Sequence, residues 1–345
     1  MVMFNQKRFS WLIVSLLCLG LAMLFTACGG GDDEVIPDDI TGGVQTSEEW
    51  NITAQTSGIE TSLFEVYADP ASGNVWAVGD LGVILRTKDK GATWEKLDGG
   101  IGEIPFQAVF FVDENEGWVA GDGGTILHTT DGGDSWEKQN TGITEKLRGL
   151  YFSNNSEGWA VGDGGIIVNT KNGGLTWDLQ SSKTNQPIEA IDFAKPGAGQ
   201  VLITNGWVTG GGGVVAHTGD NGKNWTIQPT KLSDPLYGIY FDNESKGWAV
   251  GKQGTILNTT NGGLTWNQSA AAAAQGKNLY DVFFLDAATG WIVGSGGKIL
   301  YSADGRNWVA VESDITKVLW AVTFADKTEG WAVGDEGNII YIKKK

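Results

Sequence analysis

The amino-acid sequence predicts an all-β protein, a seven-bladed β-propeller with four-stranded antiparallel blades. A Trp-Ala-Val-Gly-like motif occurs seven times, at intervals of about 42 residues, and a second tryptophan series follows it. This interval is the length of one propeller blade. Helical periodicity is absent after the first 28 residues, which argues against a helical solenoid. The first series is Trp76, Trp118, Trp159, Trp207, Trp248, Trp291 and Trp331, and the second is Trp94, Trp136, Trp177, Trp225, Trp266 and Trp308.

Each repeat has the pattern of four short strands separated by turns. In the fifth repeat the predicted strands are 236–241, 247–250, 255–258 and 265–268. Apolar residues alternate with polar ones in these segments, β-branched residues are frequent, and Gly, Asn and Asp occupy the connections. We expect both tryptophan series to pack between neighbouring sheets rather than to bind a ligand.

A recurrent turn joins the third strand to the fourth in six repeats. It reads Thr-Lys-Asp-Lys-Gly-Ala-Thr-Trp at 87–94, and Asn172 and Asn261 replace the aspartate in the third and fifth repeats. The sixth copy, 302–308, is one residue shorter. This turn resembles the Asp box of the bacterial neuraminidase repeat. Its Asp or Asn side chain accepts hydrogen bonds from turn amides, and glycine takes the positive-φ position.

The seventh repeat ends after its third predicted strand, 339–342, without an Asp box. The missing strand has a counterpart near the other end of the chain, where 49–53 reads Glu-Trp-Asn-Ile-Thr and matches the strand that follows the other boxes. We therefore predict that the N-terminal segment completes the last blade. Such closure removes the exposed sheet edges of an open ring and fixes the blade number at seven.

The first 28 residues have the organisation of a bacterial export signal. Lys7 and Arg8 precede an apolar run at 11–25, which is short for a membrane-spanning helix. Thr26-Ala27-Cys28 resembles a lipobox, which implies cleavage before Cys28 and lipid attachment to it. Ordinary signal-peptidase cleavage beside an incidental cysteine is the alternative. The predicted organisation is a signal peptide at 1–27, a flexible tether at 28–47 and the propeller at 48–345.

The tether and the net charge indicate where the protein acts. Residues 29–47 are glycine-rich and acidic, which is typical of a disordered linker. Asp32-Asp33-Glu34 resembles the export signal of Bacteroidetes surface lipoproteins and implies the outer face of the outer membrane, with the periplasmic face as the alternative. The net charge of −17 argues against binding to nucleic acid and to anionic lipid surfaces. The protein is therefore predicted to contact the membrane only through the lipid attached to Cys28. No disulfide is expected, and the protein is predicted to be a monomer.

Three sequence motifs that occur together in the repeats resemble those of a known protein family. They are Gly-Trp-Ala-Val-Gly-Asp-Gly-Gly, as at 158–165, a following Ile/Leu-x-Thr strand, and the Asp/Asn-Gly-Gly-x-Thr-Trp turn. The combination resembles the photosystem II stability/assembly factor family over 46–345. It implies a seven-bladed propeller with a non-catalytic assembly or protein-binding role. The photosynthetic members have an arginine-rich patch. Here Arg86, Arg148 and Arg306 fall in different blades at different repeat positions, so no such patch is expected.

Two sets of residues are predicted to face a ligand on the mouth, which is the end of the channel away from the Asp boxes. The first set is the second position of each inner strand, which varies, whereas the position two residues later is always Val, Leu or Ile. An aromatic arc beside polar groups suits a sugar ring or a peptide side chain, and wedging between blades is the alternative. The set is Phe64, Gln107, Arg148, Glu189, Tyr237, Tyr280 and Trp320.

The second set lies in the turn after the Trp-Ala-Val-Gly motif. Four consecutive blades place an aspartate there, with Lys252 on the opposite side, so this run is a candidate for binding a cation or a basic partner. Ordinary turn chemistry is the alternative. The aspartates are Asp80, Asp122, Asp163 and Asp335.

The sequence favours a binding protein over an enzyme. The alternative is a glycoside hydrolase, because Asp-box propellers include sialidases and xyloglucan-cleaving enzymes. Such an enzyme needs two carboxyl groups about 5–9.5 Å apart, and Glu65, Glu189 and Asp281 lie on separate inner strands. The two histidines, His128 and His217, occupy equivalent positions two blades apart and should not share a metal. We predict no catalytic residue, no cofactor and no metal, and a protein or carbohydrate partner.

Overall fold

The structure is a computed structural model that describes residues 49–195, 204–269 and 272–345. These residues form seven four-stranded antiparallel sheets, which confirms the predicted seven-bladed β-propeller. Within the same ranges no helix is long and apolar enough to cross a membrane. The predicted signal peptide and the whole predicted tether, including Cys28, lie outside the described residues.

The first strand, β1 (Trp50–Gln55), belongs to the last blade, and the other strands follow in blade order. Blade 1 contains β2 (Leu63–Ala68), β3 (Val75–Gly79), β4 (Ile84–Thr87) and β5 (Glu95–Leu97). Blade 2 contains β6 (Phe106–Phe111), β7 (Gly117–Gly121), β8 (Ile126–Thr129) and β9 (Glu137–Gln139). Blade 3 contains β10 (Leu147–Phe152), β11 (Gly158–Gly162), β12 (Ile166–Thr170) and β13 (Asp178–Ser181). Blade 4 contains β14 (Ile188–Phe193), β15 (Gly206–Gly210), β16 (Val215–Thr218) and β17 (Thr226–Gln228).

Blades 5 to 7 repeat this arrangement. Blade 5 contains β18 (Leu236–Phe241), β19 (Gly247–Gly251), β20 (Ile256–Thr259) and β21 (Asn267–Gln268). Blade 6 contains β22 (Leu279–Phe284), β23 (Gly290–Gly294), β24 (Ile299–Ser302) and β25 (Val309–Ala310). Blade 7 contains β26 (Leu319–Phe324), β27 (Glu329–Gly334), β28 (Ile339–Lys344) and β1. Short 3₁₀ turns join the second and third strands: Asp80–Gly82, Asp122–Gly124, Asp163–Gly165, Gly211–Gly213, Lys252–Gly254, Ser295–Gly297 and Asp335–Gly337. A further turn, Ala272–Ala274, precedes β22.

The closing strand pairs as predicted. β1 is antiparallel to β28, with register from Trp50 opposite Lys344 to Gln55 opposite Ile339. The Trp50 side chain is only 5% exposed. It meets Trp291 of blade 6 edge-on at 5.0 Å and Phe324 of its own blade at 6.0 Å. The N-terminal strand therefore buries a large aromatic side chain at the seam between the first and last parts of the chain.

Tryptophans of the second strands form the packing between blades. Trp118 and Trp207 are fully buried. Each lies flat against a phenylalanine of the next blade, Trp118 on Phe152 at 3.6 Å and Trp207 on Phe241 at 3.5 Å. Since face-to-face contact buries most of both ring surfaces, this repeated pair accounts for much of the cohesion between sheets. The structural role predicted for this tryptophan series is confirmed.

The Asp boxes have the hydrogen bonds that their sequence predicts. In blade 2, Asp131 Oδ1 accepts from Thr129 Oγ1 at 2.7 Å and from the Ser135 amide at 2.8 Å. In blade 5 the Asn261 side chain accepts the Thr265 amide at 3.0 Å. That bond keeps Thr265 in the turn, so the fourth strand begins at Asn267, two residues later than predicted.

Glutamines in outer strands clamp the Asp box of the following blade. Gln139 accepts from the Trp177 indole N–H at 3.2 Å and donates to the Gly173 carbonyl at 2.7 Å. Gln55 of β1 makes the same pair of bonds with Trp94 and the Lys90 carbonyl, at 3.2 and 2.8 Å. The borrowed strand therefore also connects blade 7 to blade 1.

Candidate functional site

The mouth of the channel is built from the beginnings of the inner strands and the 3₁₀ turns. The first residue of each turn donates its N–H to the carbonyl just before the inner strand, as Asp80 does to Ser62 at 2.9 Å and Asp163 to Lys146 at 2.9 Å. Because strand direction alternates across a blade, the Asp boxes lie at the opposite end of the channel. The turn after the Trp-Ala-Val-Gly motif and the second inner-strand position thus belong to one surface.

The glycine that ends the Trp-Ala-Val-Gly motif allows close contact with the inner strand. A Cβ on Gly79 would lie 2.0 Å from the Ser62 carbonyl oxygen, and a Cβ on Gly162 would be equally close to that of Lys146. Opposite this glycine the inner strand contains one extra residue, so Leu63 pairs with Gly79 while Glu65 pairs with Val78. The same register shift occurs in all seven blades.

The extra residue of each bulge is the variable second position predicted from the sequence. A β-bulge leaves one residue unpaired and redirects its side chain. This explains why the position is released from core packing while the first and fourth residues of each inner strand stay apolar and buried. All seven side chains are half-buried at the mouth: Phe64, Gln107, Arg148, Glu189, Tyr237, Tyr280 and Trp320.

Four of these side chains form the predicted aromatic arc. The ring centroids of Tyr237 and Tyr280 are 5.3 Å apart, those of Tyr280 and Trp320 4.3 Å, and those of Phe64 and Trp320 6.1 Å. The rings are tilted or edge-on to one another rather than stacked in parallel. Contact between neighbouring blades and partial exposure coexist here, so the arc contributes to packing and also presents ring surface at the mouth.

The other side of the mouth is polar. Arg148 Nε lies 2.7 Å from Asp163 Oδ1, and Arg148 Nη1 lies 3.1 Å from Glu189 Oε2. Burial raises the pKa of Glu189 in spite of the Arg148 charge, which acts in the other direction. Gln107 occupies the bulge of blade 2, between Phe64 and Arg148 in blade order.

The predicted aspartate run is divided among separate partners. Asp335 accepts from the Trp320 indole N–H at 2.7 Å and from Ser62 Oγ at 3.1 Å, which fixes the position of the Trp320 ring within the aromatic arc. Asp122 pairs with Lys146 of the next blade at 3.0 Å, and Asp163 pairs with Arg148. Asp80 is half-buried at the start of its turn, whereas Lys252 pairs with Asp234 at 3.0 Å.

The histidines and carboxylates of the described residues are dispersed rather than clustered. Among these residues, no group of three or more His, Cys, Asp and Glu side chains is arranged to hold a metal ion. His128 contacts Glu116 at 3.2 Å and His217 contacts Asn205 at 3.0 Å, each beside the tryptophan of its own blade. Each histidine therefore has its own local partner within its own blade.

Below the mouth, carboxylates of the inner strands meet main-chain amides at the channel. Asp281 accepts the N–H groups of Val282 and Val322 at 2.8 Å, so it joins blade 6 to blade 7. Asp192 accepts those of Phe193 and Phe241 at 2.9 and 2.6 Å, so it joins blade 4 to blade 5. Burial raises the pKa of Asp192 to about 7, although the two amides act to lower it.

Glu65 and Asp281 interact with each other across blade 7. Burial and the negative charge of Asp281 raise the pKa of Glu65 well above its usual value, and burial also raises the pKa of Asp281. The residue of blade 7 at the same strand position is Ala321, whose small side chain leaves room between them. Sequence reasoning identified both carboxylates but did not give their proximity.

The three arginines lie apart, as predicted. Arg86 is 4% exposed and pairs with Glu95 at 2.8 Å and with Asp134 of the next blade at 2.7 Å. Arg148 is at the mouth, and Arg306 is an exposed residue of an Asp box. No arginine cluster for binding a carboxylate therefore forms among the described residues.

Comparison with known proteins adds family and fold relationships. The family model for photosynthesis system II assembly factor YCF48 matches residues 43–150, 138–238 and 227–303. No curated protein gives a significant match. Among solved structures, YCF48 from Cyanidioschyzon merolae is 20% identical with a TM-score of 0.70, covering 86% of this chain and 98% of that one.

Two further solved structures share the fold. A structure described as YCF48 bound to D1 peptide is 19% identical with a TM-score of 0.70, covering 86% of this chain and 96% of that one. The GH74 enzyme of Niastella koreensis is 16% identical with a TM-score of 0.64. That match covers 84% of this chain but only 53% of the enzyme.

Proposed function

Because this chain belongs to the photosynthesis system II assembly factor YCF48 family, we propose that it is a non-catalytic binding protein that holds a segment of a partner protein over the mouth of its propeller. The observation that carries the proposal is the arc of contacting, half-buried rings from Tyr237 through Tyr280 and Trp320 to Phe64. Aromatic side chains that are partly buried and held rigidly are common binding hot spots. Peptide binding by a propeller of the same family supports a protein partner.

The test is photo-crosslinking from the mouth in living cells. A Tyr280→p-benzoylphenylalanine variant is expected to crosslink to one partner segment, which mass spectrometry then identifies. The same photoreactive residue at Leu175, which is 81% exposed on the Asp-box face, is the matched control. Equal crosslinking from both positions to the same partner would contradict recognition at the mouth.

Affinity for the identified segment provides the quantitative measurement. The Tyr280→Ala/Trp320→Ala variant removes two neighbouring rings and is expected to weaken binding by roughly 30-fold or more, since a hot-spot aromatic contributes about 2 kcal/mol. Leu175→Ala/Leu264→Ala removes comparable exposed apolar surface from the opposite face and should leave binding unchanged. An unchanged affinity in the aromatic variant would overturn the proposal.

Carbohydrate binding and glycoside hydrolase activity are the two alternatives to the proposed function, and each has its own test. Glu65 and Asp281 are the candidate carboxyl pair for a hydrolase, but both Asp281 oxygens already accept main-chain N–H groups, one from Val282 and one from Val322 of the next blade. A glycan array tests recognition of carbohydrate, and incubation with xyloglucan tests turnover. Turnover that disappears in Asp281→Asn would replace the binding proposal with the hydrolase alternative.

We propose further that the protein is a lipoprotein anchored through Cys28, with the propeller at the outer surface of the outer membrane. The lipobox-like sequence and the acidic residues after it support this location. A clickable palmitate analogue should label the protein, whereas Cys28→Ser should be unlabelled and released from membranes. Proteinase K added to intact cells should digest the propeller. Protection from the protease would favour the periplasmic face, and labelling of the Cys28→Ser protein would contradict the anchor.

A further inference from the structure

The aromatic arc and the Glu65–Asp281 pair lie on consecutive residues of the same strands. Phe64 directly precedes Glu65 in β2, and Tyr280 directly precedes Asp281 in β22. Trp320 lies between the two blades and contacts both rings, at 6.1 and 4.3 Å. One part of the mouth therefore combines three aromatic side chains with two carboxylates just below them.

The carboxylates in this part of the mouth have no cationic partner in the described structure. Within residues 49–195, 204–269 and 272–345, ion pairs engage Asp122, Asp163, Glu189 and Asp234, but none includes Glu65 or Asp281. One Glu65 oxygen accepts the Val66 N–H at 3.0 Å. Two mutually repelling acids in partial burial favour any positive group that reaches them.

The neighbouring surface is acidic too. A groove of about 1080 Å³ is lined by β1, by the loops before β2 and β26, and by the turn of Asp335, which accepts the Trp320 indole N–H. Glu60, Glu312 and Asp314 line it together with the apolar Ile315. Its Lys317 is paired with Glu336. Charge of one sign along a concave surface attracts and orients a ligand of the opposite sign.

We propose that the mouth recognises a lysine or arginine side chain of the partner segment, with the cationic head between Glu65 and Asp281 and the aliphatic stem against Phe64, Trp320 and Tyr280. Cations bind the faces of aromatic rings, and carboxylates add direct charge pairing. The inference rests on the proposed binding function and adds the chemistry of the partner. It differs from an arginine-lined site, which would select an acidic segment.

The first experiment measures the Trp320 indole N–H by NMR, its resonance being assigned from its loss in Trp320→Phe. The probes are acetyl-Gly-Arg-Gly-amide and its neutral isostere, in which citrulline replaces arginine. The arginine peptide should shift the resonance saturably, with at least 10-fold higher affinity than the citrulline peptide. Equal affinities, or no shift with the arginine peptide at tens of millimolar, would overturn the proposal.

Charge removal supplies the second measurement. Glu65→Gln keeps an oxygen for the Val66 N–H, so we expect a folded protein that binds the arginine peptide at least 10-fold more weakly; Asp281→Asn should act in the same direction. Asp178→Asn/Glu137→Gln removes two exposed outer-strand charges and should leave the affinity unchanged. Unchanged affinity in Glu65→Gln contradicts the inference.

The crosslinked partner separates this inference from the proposed function. If Tyr280→Ala/Trp320→Ala no longer binds the partner while Glu65→Gln still binds it, only the cation inference fails. If both variants still bind the partner, both proposals fail.

Discussion

Deletion of residues 49–55 is expected to abolish the folded ring. It removes all six residue pairs between β1 and β28, the buried Trp50 side chain and the Gln55 clamp on blade 1. Burial of a tryptophan alone is worth about 3–5 kcal/mol, and each strand hydrogen bond adds about 1 kcal/mol. The sum is comparable to the whole free energy of unfolding of a typical domain, which is about 5–15 kcal/mol.

A smaller change isolates the side chain. Trp50→Ala should lower the free energy of unfolding by about 3–5 kcal/mol, because the space between Trp291 and Phe324 is left unfilled. Denaturant titration followed by near-ultraviolet circular dichroism gives this value. A deletion variant that unfolds at the wild-type denaturant concentration would contradict closure by β1.

A circular permutant is the matched control. It begins at Ser57 and carries the β1 segment after Lys345 through a short glycine-serine linker. Lys345 already donates its N–H to the Glu49 carbonyl at 2.8 Å, so the linker spans a short distance. The permutant should fold with nearly wild-type stability, because every pair of β1 is retained and only the connection changes. If neither the deletion variant nor the permutant folds, the stability of the ring depends on the order of the strands in the chain and not only on the pairing of β1 with β28.

The architecture was predictable because it repeats. One motif recurs in every blade, so the same strand and the same packing surface are predicted seven times. An error in the assignment of any single segment therefore has little effect on the predicted fold. The borrowed strand was also visible, as a missing unit at one end and a matching one near Trp50. The interaction of Gln55 with Trp94 was not, because in β1 the glutamine follows its tryptophan by five residues and in blade 2 by three.

The mouth was only partly predictable. Variation at the second inner-strand position indicated a surface role for Tyr280 and Trp320. Its cause is a bulge opposite a glycine, where the two strands approach too closely for a Cβ, and no single sequence segment encodes that approach. The aspartate run looked continuous along the repeats. In three dimensions Lys146 and Arg148 divide it, since each belongs to a strand start adjacent to a turn aspartate. The interaction between Glu65 and Asp281 could not be predicted from the sequence, because it arises only when the ring is closed.

The stability of the propeller is expected to decrease as the pH rises from about 5 to 8. Asp192, with a pKa raised to about 7, and Glu65 and Asp281, also with raised pKa values, bind protons more tightly in the folded state than in the unfolded chain. Their contribution is therefore complete below the unfolded pKa of about 4 and is lost as the pH rises through the folded value.

The Asp boxes have the opposite dependence. Hydrogen bonds from Thr93 lower the pKa of Asp89 to about 2, and those from Ser135 do the same for Asp131. Their contribution is complete above about pH 4 and is lost as the pH falls towards 2. The two groups together place the stability maximum in mildly acidic solution, between the range where the boxes become protonated and the range where the channel acids ionise.

Urea titrations from pH 3 to 8 test this through the slope between pH 5 and 8 in two variants. Asp192→Asn removes one of the groups that titrate in this interval and should reduce the loss of unfolding free energy by roughly 2 kcal/mol, a value discounted because the Asp192 side chain is only partly buried. Asp131→Asn, which reproduces the amide found at Asn172 and Asn261, should leave the slope unchanged because Asp131 titrates well below pH 5. A wild-type protein more stable at pH 8 than at pH 5 would contradict the raised pKa values of the channel carboxylates as a group. An equal slope in Asp192→Asn would contradict the raised pKa of Asp192 alone.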